Sequence, residues 1–178
     1  MLKKLSPYKK SAILYLLIIA LGIYLDQLTK CLAVELLKPI HDFPLIEGVF
    51  HLTYSENRGA AFGMLSDNRW VFMSFSTVMI LALCVYLFYP KKQTGKLFSI
   101  AIAIIVSGGI GNMIDRLWLG YVVDFIDFRL INFAVFNGAD SFVCVGAGFL
   151  MLALIRDFIK EVKTARKKAE DGDKSDDI

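Results

Sequence analysis

This sequence predicts an α-helical integral membrane protein with four transmembrane helices, both termini cytoplasmic, and a small β-rich portion outside the bilayer. Three observations predict it. Hydrophobic residues make up 56% of the 178 positions and mean hydropathy is +0.56, more apolar than an ordinary soluble domain sustains. Four apolar segments, residues 11–34, 68–89, 96–114 and 139–159, approach or exceed the about 20 residues that cross a bilayer. The basic residues, finally, gather at the segment ends that one side of the membrane would share.

Residues 11–34 follow lysines, as a secretory signal would, but they run into Asp26-Gln27-Leu28-Thr29-Lys30 instead of a small-residue cleavage site. They are read as a retained first helix. Lys3, Lys4, Lys9 and Lys10 precede it; Lys91, Lys92 and Lys96 lie between helices two and three; Arg156, Lys160, Lys163, Arg166, Lys167, Lys168 and Lys174 end or follow helix four. That is 14 of the 20 basic residues on one side, which the positive-inside rule makes cytoplasmic. An even number of spans agrees.

The outer side then receives residues 35–67 and 115–138, both too long for simple turns. Phe50, Leu52 and Tyr54 alternate with His51, Thr53 and Ser55, and the stretch from Tyr121 to Phe128 is rich in β-branched and aromatic residues, so each predicts a strand of a small sheet on the outer leaflet. Residues 1–166 are read as one four-helix domain, and 167–178 as a charged, disordered tail without aromatics. The formal charge of +3 argues for no nucleic-acid partner. Cys31, Cys84 and Cys144 are odd in number and match no zinc spacing, and His41 and His51 are the only histidines. No disulfide framework, metal or cofactor is expected.

Polar groups are costly in lipid and are functional candidates by default. Here they collect at one depth: Asp26 near the outer end of helix one, Asn112, Asp115 and Arg116 at the end of helix three, Asp124 soon after, and Asn137 with Asp140 opening helix four. Asp26 either pairs with Lys30 or belongs to a pocket. Asp115 and Arg116 are expected to form an ion pair ordering the helix end. Asn137 or Asp140 suits an N-cap, and Gly108, Gly109 and Gly111 suit close helix packing. Asp124, flanked by Val122, Val123, Phe125 and Ile126, has no such ordinary duty.

Two neighbouring acids that cannot both ionise cheaply, with no histidine, serine or cysteine suitably partnered, fit aspartic peptide hydrolysis. The ionised acid takes a proton from water as it attacks a carbonyl, and the protonated acid assists the leaving amine. A Ser-Lys mechanism fits less well, since Ser107 and Ser141 have only Lys30 to call on, and Lys30 sits beside Asp26. A small transporter usually places its acids near the midplane between repeated halves, and neither feature is visible. A non-catalytic membrane assembly protein is the other alternative.

Five blocks, taken in order, are Asp26-Gln27-Leu28-Thr29-Lys30, Asn57-Arg58-Gly59-Ala60-Ala61-Phe62-Gly63, Gly108-Gly109-Ile110-Gly111-Asn112-Met113-Ile114-Asp115-Arg116, Val122-Val123-Asp124-Phe125 and Phe136-Asn137-Gly138-Ala139-Asp140. They resemble the motifs of the bacterial lipoprotein signal peptidase (signal peptidase II) family. The resemblance implies a cofactor-free aspartic endopeptidase of the bacterial plasma membrane, acting as a monomer at the extracytoplasmic face. Its substrates would be diacylglyceryl-modified prolipoproteins, cut before the lipidated cysteine. Matched motif to motif, Asp124 and Asp140 fall on the catalytic dyad. Asn57, Asn112, Arg116 and Asn137 fall on the pocket, and Asp26, Lys30, Gly59, Asp115 and Ala139 on substrate-binding or supporting positions.

Overall fold

The computed structural model describes residues 6–59, 69–89 and 95–173, in the order α1 (Pro7–Leu36), β1 (Asp42–Ile46), β2 (Phe50–Asn57), α2 (Arg69–Phe88), α3 (Lys96–Trp118), β3 (Val122–Asp127), a 3-10 turn (Arg129–Ile131) and α4 (Gly138–Asp173). Among the described residues, α1, α3 and α4 contain stretches long and apolar enough to cross a membrane, Tyr8–Leu36, Lys96–Trp118 and Gly138–Lys167. The described apolar stretch of α2, Met73–Phe88, is shorter. The expected second span began at residue 68, outside the described residues, as do Ala60 to Gly63 of the second motif and Lys3, Lys4, Lys91, Lys92 and Lys174.

Local chemistry sets the helix ends. Ser6 caps α1 by accepting the Lys9 N–H at 3.4 Å, ahead of Pro7 in the first turn. Pro39 follows closely after the last turn and disfavours further helix. At the far end of α3 the N–H groups of Leu119 and Gly120 both reach the Asp115 carbonyl. Gly120 takes φ +85°, a left-handed stop that a side chain would resist. α4 runs to Asp173, past the expected span end at Ile159 and through the residues from Lys167 to Asp173 expected to be disordered. Lysine, arginine, alanine and glutamate are strong helix formers, and extending an existing helix adds a hydrogen bond for each residue fixed.

Ile19, Leu87, Ile102, Ala103 and Val106 form the core between α1, α2 and α3. α3 and α4 approach more closely. A Cβ on Gly108 would lie 2.3 Å from the Ala139 carbonyl oxygen and 2.9 Å from a Val143 methyl, so only hydrogen fits there. Gly108→Ala is therefore expected to cost about 1–3 kcal/mol as the helices are forced apart. The thermal unfolding midpoint in detergent checks it; an unchanged midpoint would mean that α3 and α4 repack freely.

The strands form one antiparallel sheet, ordered β1-β2-β3. β2 and β3 occupy the two expected stretches. β1 was not expected; it contains Pro44, which an edge strand tolerates. Ala33 of α1 and Leu37, just past its end, pack with Tyr54 and Val123, seating the sheet on the end of the helix. Asn57 pairs with Val122 and Ser55 with Asp124, beyond an irregularity after Leu52. That seat brings β3 to the mouth of the bundle.

Candidate active site

β3 delivers Asp124 and the first turn of α4 delivers Asp140, on either side of Asn137. Asp124 is 2% exposed and Asn137 fully buried. Asn57 Nδ2 donates to Asp124 Oδ2 at 2.9 Å, and Asn137 Nδ2 donates to Asp124 Oδ1 at 2.6 Å. Asp140 accepts from Asn112 Nδ2 at 2.8 Å and from the Asn137 N–H at 3.3 Å. The Asp140 N–H in return donates to Asn137 Oδ1 at 3.0 Å, a reciprocal helix cap. Asn137 therefore caps α4, one of the two duties expected, and its side-chain amide also reaches Asn112 Oδ1 at 3.1 Å. Three asparagines thus aim amide donors at two carboxylates.

Burial raises the Asp124 carboxyl to about 6 from 3.8. The Asn57 hydrogen bond opposes the rise, the charge of Asp140 adds to it, and the Asn137 bond and the Lys30 charge oppose it again. A raised acid keeps its proton over a wider range, so the one-proton form of the pair persists to about pH 6 and is lost above it. kcat/KM should therefore fall on its alkaline side with an apparent pKa near 6 belonging to the pair. A pH–rate profile with a cleavable peptide substrate checks this, and a profile flat from pH 5 to about 8 would refute it.

Behind the pair lies a second polar layer. Lys30, 3% exposed, places Nζ 2.9 Å from Asp26 Oδ2, 3.0 Å from Asp115 Oδ2 and 2.8 Å from Asn112 Oδ1. The expected Asp26–Lys30 pairing is thus present. The expected Asp115–Arg116 ion pair is not: Asp115 turns inward to Lys30, because adjacent residues on a helix project about 100° apart. Arg116 instead donates to the carbonyls of Asn112 and Gly59, each at 3.4 Å. Gly59, buried, holds Asn57 in turn, its N–H reaching Asn57 Oδ1 at 3.0 Å. Ala139 is fully buried and its N–H donates to Asp26 Oδ1 at 2.8 Å. All of the site residues read from the motifs meet at this one end of the bundle.

Sequence reasoning passed over Gln27. Its Nε2 lies 3.2 Å from Asp26 Oδ2, 3.0 Å from Asp115 Oδ1 and 3.2 Å from the Gly111 carbonyl. The available signal was a neutral polar residue beside a carboxylate inside a membrane helix. Also passed over was an outer cluster on the sheet. His51, buried, accepts the Gly48 N–H at Nε2 and so donates from Nδ1 to Asp42 at 3.1 Å. Thr53 Oγ1 sits between Asp42 and Asp127, and Arg129 reaches both acids. These groups satisfy one another and brace the sheet. The serines have no base: Ser107 Oγ donates to the Ile104 carbonyl and Ser141 Oγ to the Asn137 carbonyl, while Lys30 is committed to its three acceptors.

The family profile described as signal peptidase (SPase) II matches residues 18–156. The chain is 49% identical over 140 residues to a lipoprotein signal peptidase of Caldanaerobacter subterraneus subsp. tengcongensis, covering 77% of this chain and 94% of that protein. It is 48% identical over 143 residues to a lipoprotein signal peptidase of Clostridioides difficile, covering 80% and 95%. A bacterial membrane enzyme solved by the in meso method at 2.3 Å resolution superposes with a TM-score of 0.73 at 34% identity, covering 81% of this chain and 88% of that one. This multi-pass membrane chain, with its two amide-bridged carboxylates, belongs to the signal peptidase II family and is a peptidase.

Proposed function

We propose that this peptidase removes signal peptides from diacylglyceryl-modified prolipoproteins, cutting before the lipidated cysteine, with Asp124 and Asp140 as the catalytic dyad. The single observation that carries the dyad is the bridging of the buried Asp124 and the half-buried Asp140 by Asn137, with Asn57 and Asn112 completing their hydrogen bonds. The relatives' name, lipoprotein signal peptidase, supplies the substrate class.

One carboxylate, ionised, removes a proton from water as its oxygen attacks the scissile carbonyl carbon. The other, protonated, donates to the carbonyl oxygen as the tetrahedral intermediate forms, and a proton then passes to the departing amine. In this reading Arg116, beside the Gly59 carbonyl, and the asparagine amides would bind substrate backbone. α2 supplies the fourth span: its 20 residues are about 30 Å long, enough for the hydrocarbon core. Both termini then lie in the cytoplasm and the dyad at the extracytoplasmic face of the plasma membrane, on a single domain over residues 1–166. One chain carries both aspartates, so a monomer suffices. A lipid-anchored cysteine brings its peptide bond to this depth while its acyl chains stay in the bilayer.

The test is cleavage by detergent-purified protein of a lipobox peptide with and without diacylglycerol on its cysteine, with products weighed by mass spectrometry. Cleavage immediately before the cysteine, confined to the lipidated peptide, is the expected result. Equal cleavage of both peptides would overturn the lipid requirement, and no cleavage of either would overturn the substrate class.

A further inference from the structure

The backbone N–H just before each dyad aspartate is received by a different buried carboxylate. Val123, preceding Asp124, donates to Asp115 Oδ2 at 3.1 Å. Ala139, preceding Asp140, donates to Asp26 Oδ1 at 2.8 Å. The two accepting carboxylates stand on α3 and α1 and carry like charge in a water-poor setting, so left alone they would spread apart. Two donors from α1 prevent it. Lys30 Nζ reaches both carboxylates, at 2.9 and 3.0 Å, and Gln27 Nε2 reaches both as well, at 3.2 and 3.0 Å.

Lys30 alone supplies the compensating charge. Gln27 adds no charge, so its contribution is directional: a planar amide with two protons sets the spacing of the carboxylates it faces. Lys30 spends its remaining proton on Asn112 Oδ1, and Asn112 Nδ2 continues to Asp140. Apart from the Gln27 bond to the Gly111 carbonyl, the paths from this pair of donors lead to one or other dyad aspartate through a short run of hydrogen bonds.

We propose that Gln27 and Lys30 are positioning residues for the peptidase reaction: by clasping Asp26 to Asp115 they fix the separation of Asp124 and Asp140. The inference rests on the dyad reading given above. Its chemical content is that a misplacement of about 1 Å in a reacting group costs on the order of 100-fold in rate. A slackened clasp is therefore felt in kcat before it is felt in substrate binding.

The separation of two coupled carboxylates is itself readable. The closer they lie, the further apart are the two apparent pKa values of the pair, and the wider is the bell of the pH–rate profile. Gln27→Met keeps the length of the side chain and removes the donor. With a diacylglyceryl-modified lipobox peptide it is expected to lower kcat about 10-fold or more, leave KM within about twofold, and narrow the bell. Lys30→Arg keeps the charge but changes its reach and fork, and it serves as the second variant should Gln27→Met not purify as a folded protein; the same kcat loss and altered bell width are expected. Wild-type kcat and bell width in either folded variant would overturn the inference. If those values hold while Asp124→Asn is inactive, the positioning proposal fails and the dyad stands; if Asp124→Asn is active, the dyad reading itself fails.

Discussion

Asp124→Asn and Asp140→Asn should each lower cleavage of a lipidated lipobox peptide by about 100- to 10,000-fold, the range that loss of a general acid or base produces. The hydrogen bonding makes the substitution harsher than its near-identical shape suggests. Both oxygens of Asp124 accept from side-chain amides, Asn57 Nδ2 and Asn137 Nδ2. An asparagine there must point its own NH2 at one of these donors. Turning Asn57 over to present an oxygen would abandon the Gly59 N–H, and turning Asn137 over would abandon the Asp140 N–H. The variant accordingly loses some stability as well as the proton-transfer group. Asp140→Asn meets the same difficulty at Asn112, whose oxygen is engaged by Lys30. Single-turnover cleavage, measured beside size-exclusion profiles of both variants, separates chemistry from misfolding. Turnover within about tenfold of wild type in either folded variant would remove that aspartate from the dyad.

Lys30→Met should be the most destabilising single change at this end of the bundle, by about 3–5 kcal/mol. That is the cost typical of stripping one partner from a buried ion pair. Here two carboxylates are stranded at once: Asp26 is fully buried and Asp115 is 3% exposed, and both rely on the same ammonium. Exposed lysine pairs such as Lys38 with Glu56 contribute far less, because water already solvates both ends. Thermal unfolding in detergent measures the difference. A Lys30→Met midpoint no lower than that of Lys38→Met would show that the buried carboxylates find compensation elsewhere.

The sequence made most of this site legible because lipid makes polar residues conspicuous. Asp26, Asn112, Asp115, Asp124 and Asp140 stand out against apolar neighbours. Their shared depth follows from counting residues along helices. The strands β2 and β3 were equally visible as alternation and β-branched runs. Pairwise chemistry was less so. Nothing in the order Asp115-Arg116 says that the acid faces a lysine on another helix, since that depends on how α1 and α3 are rotated against each other. Gln27 escaped notice because an uncharged amide carries no cost signal as loud as that of an ion. The Asp42, His51, Thr53, Asp127 and Arg129 cluster escaped because its members meet only after β1 has paired and the 3-10 turn has formed. The helix running from Lys167 to Asp173 is not visible in composition alone, because it extends a helix already formed by the preceding residues.

If Asp140 belongs to the proposed dyad, the reciprocal cap at the start of α4 makes one aspartate answer to two selective pressures. Glutamate is the usual partner at the third position of such a cap, and a protein evolving only for a firm helix start would favour it at residue 140. One added methylene would carry the carboxyl group out of register with Asp124 and away from the Asn112 amide. On the proposed reading, Asp140→Glu is a trade of activity for stability. On the same reading, the short side chain at this position would mark where adaptation for catalysis limits adaptation for folding.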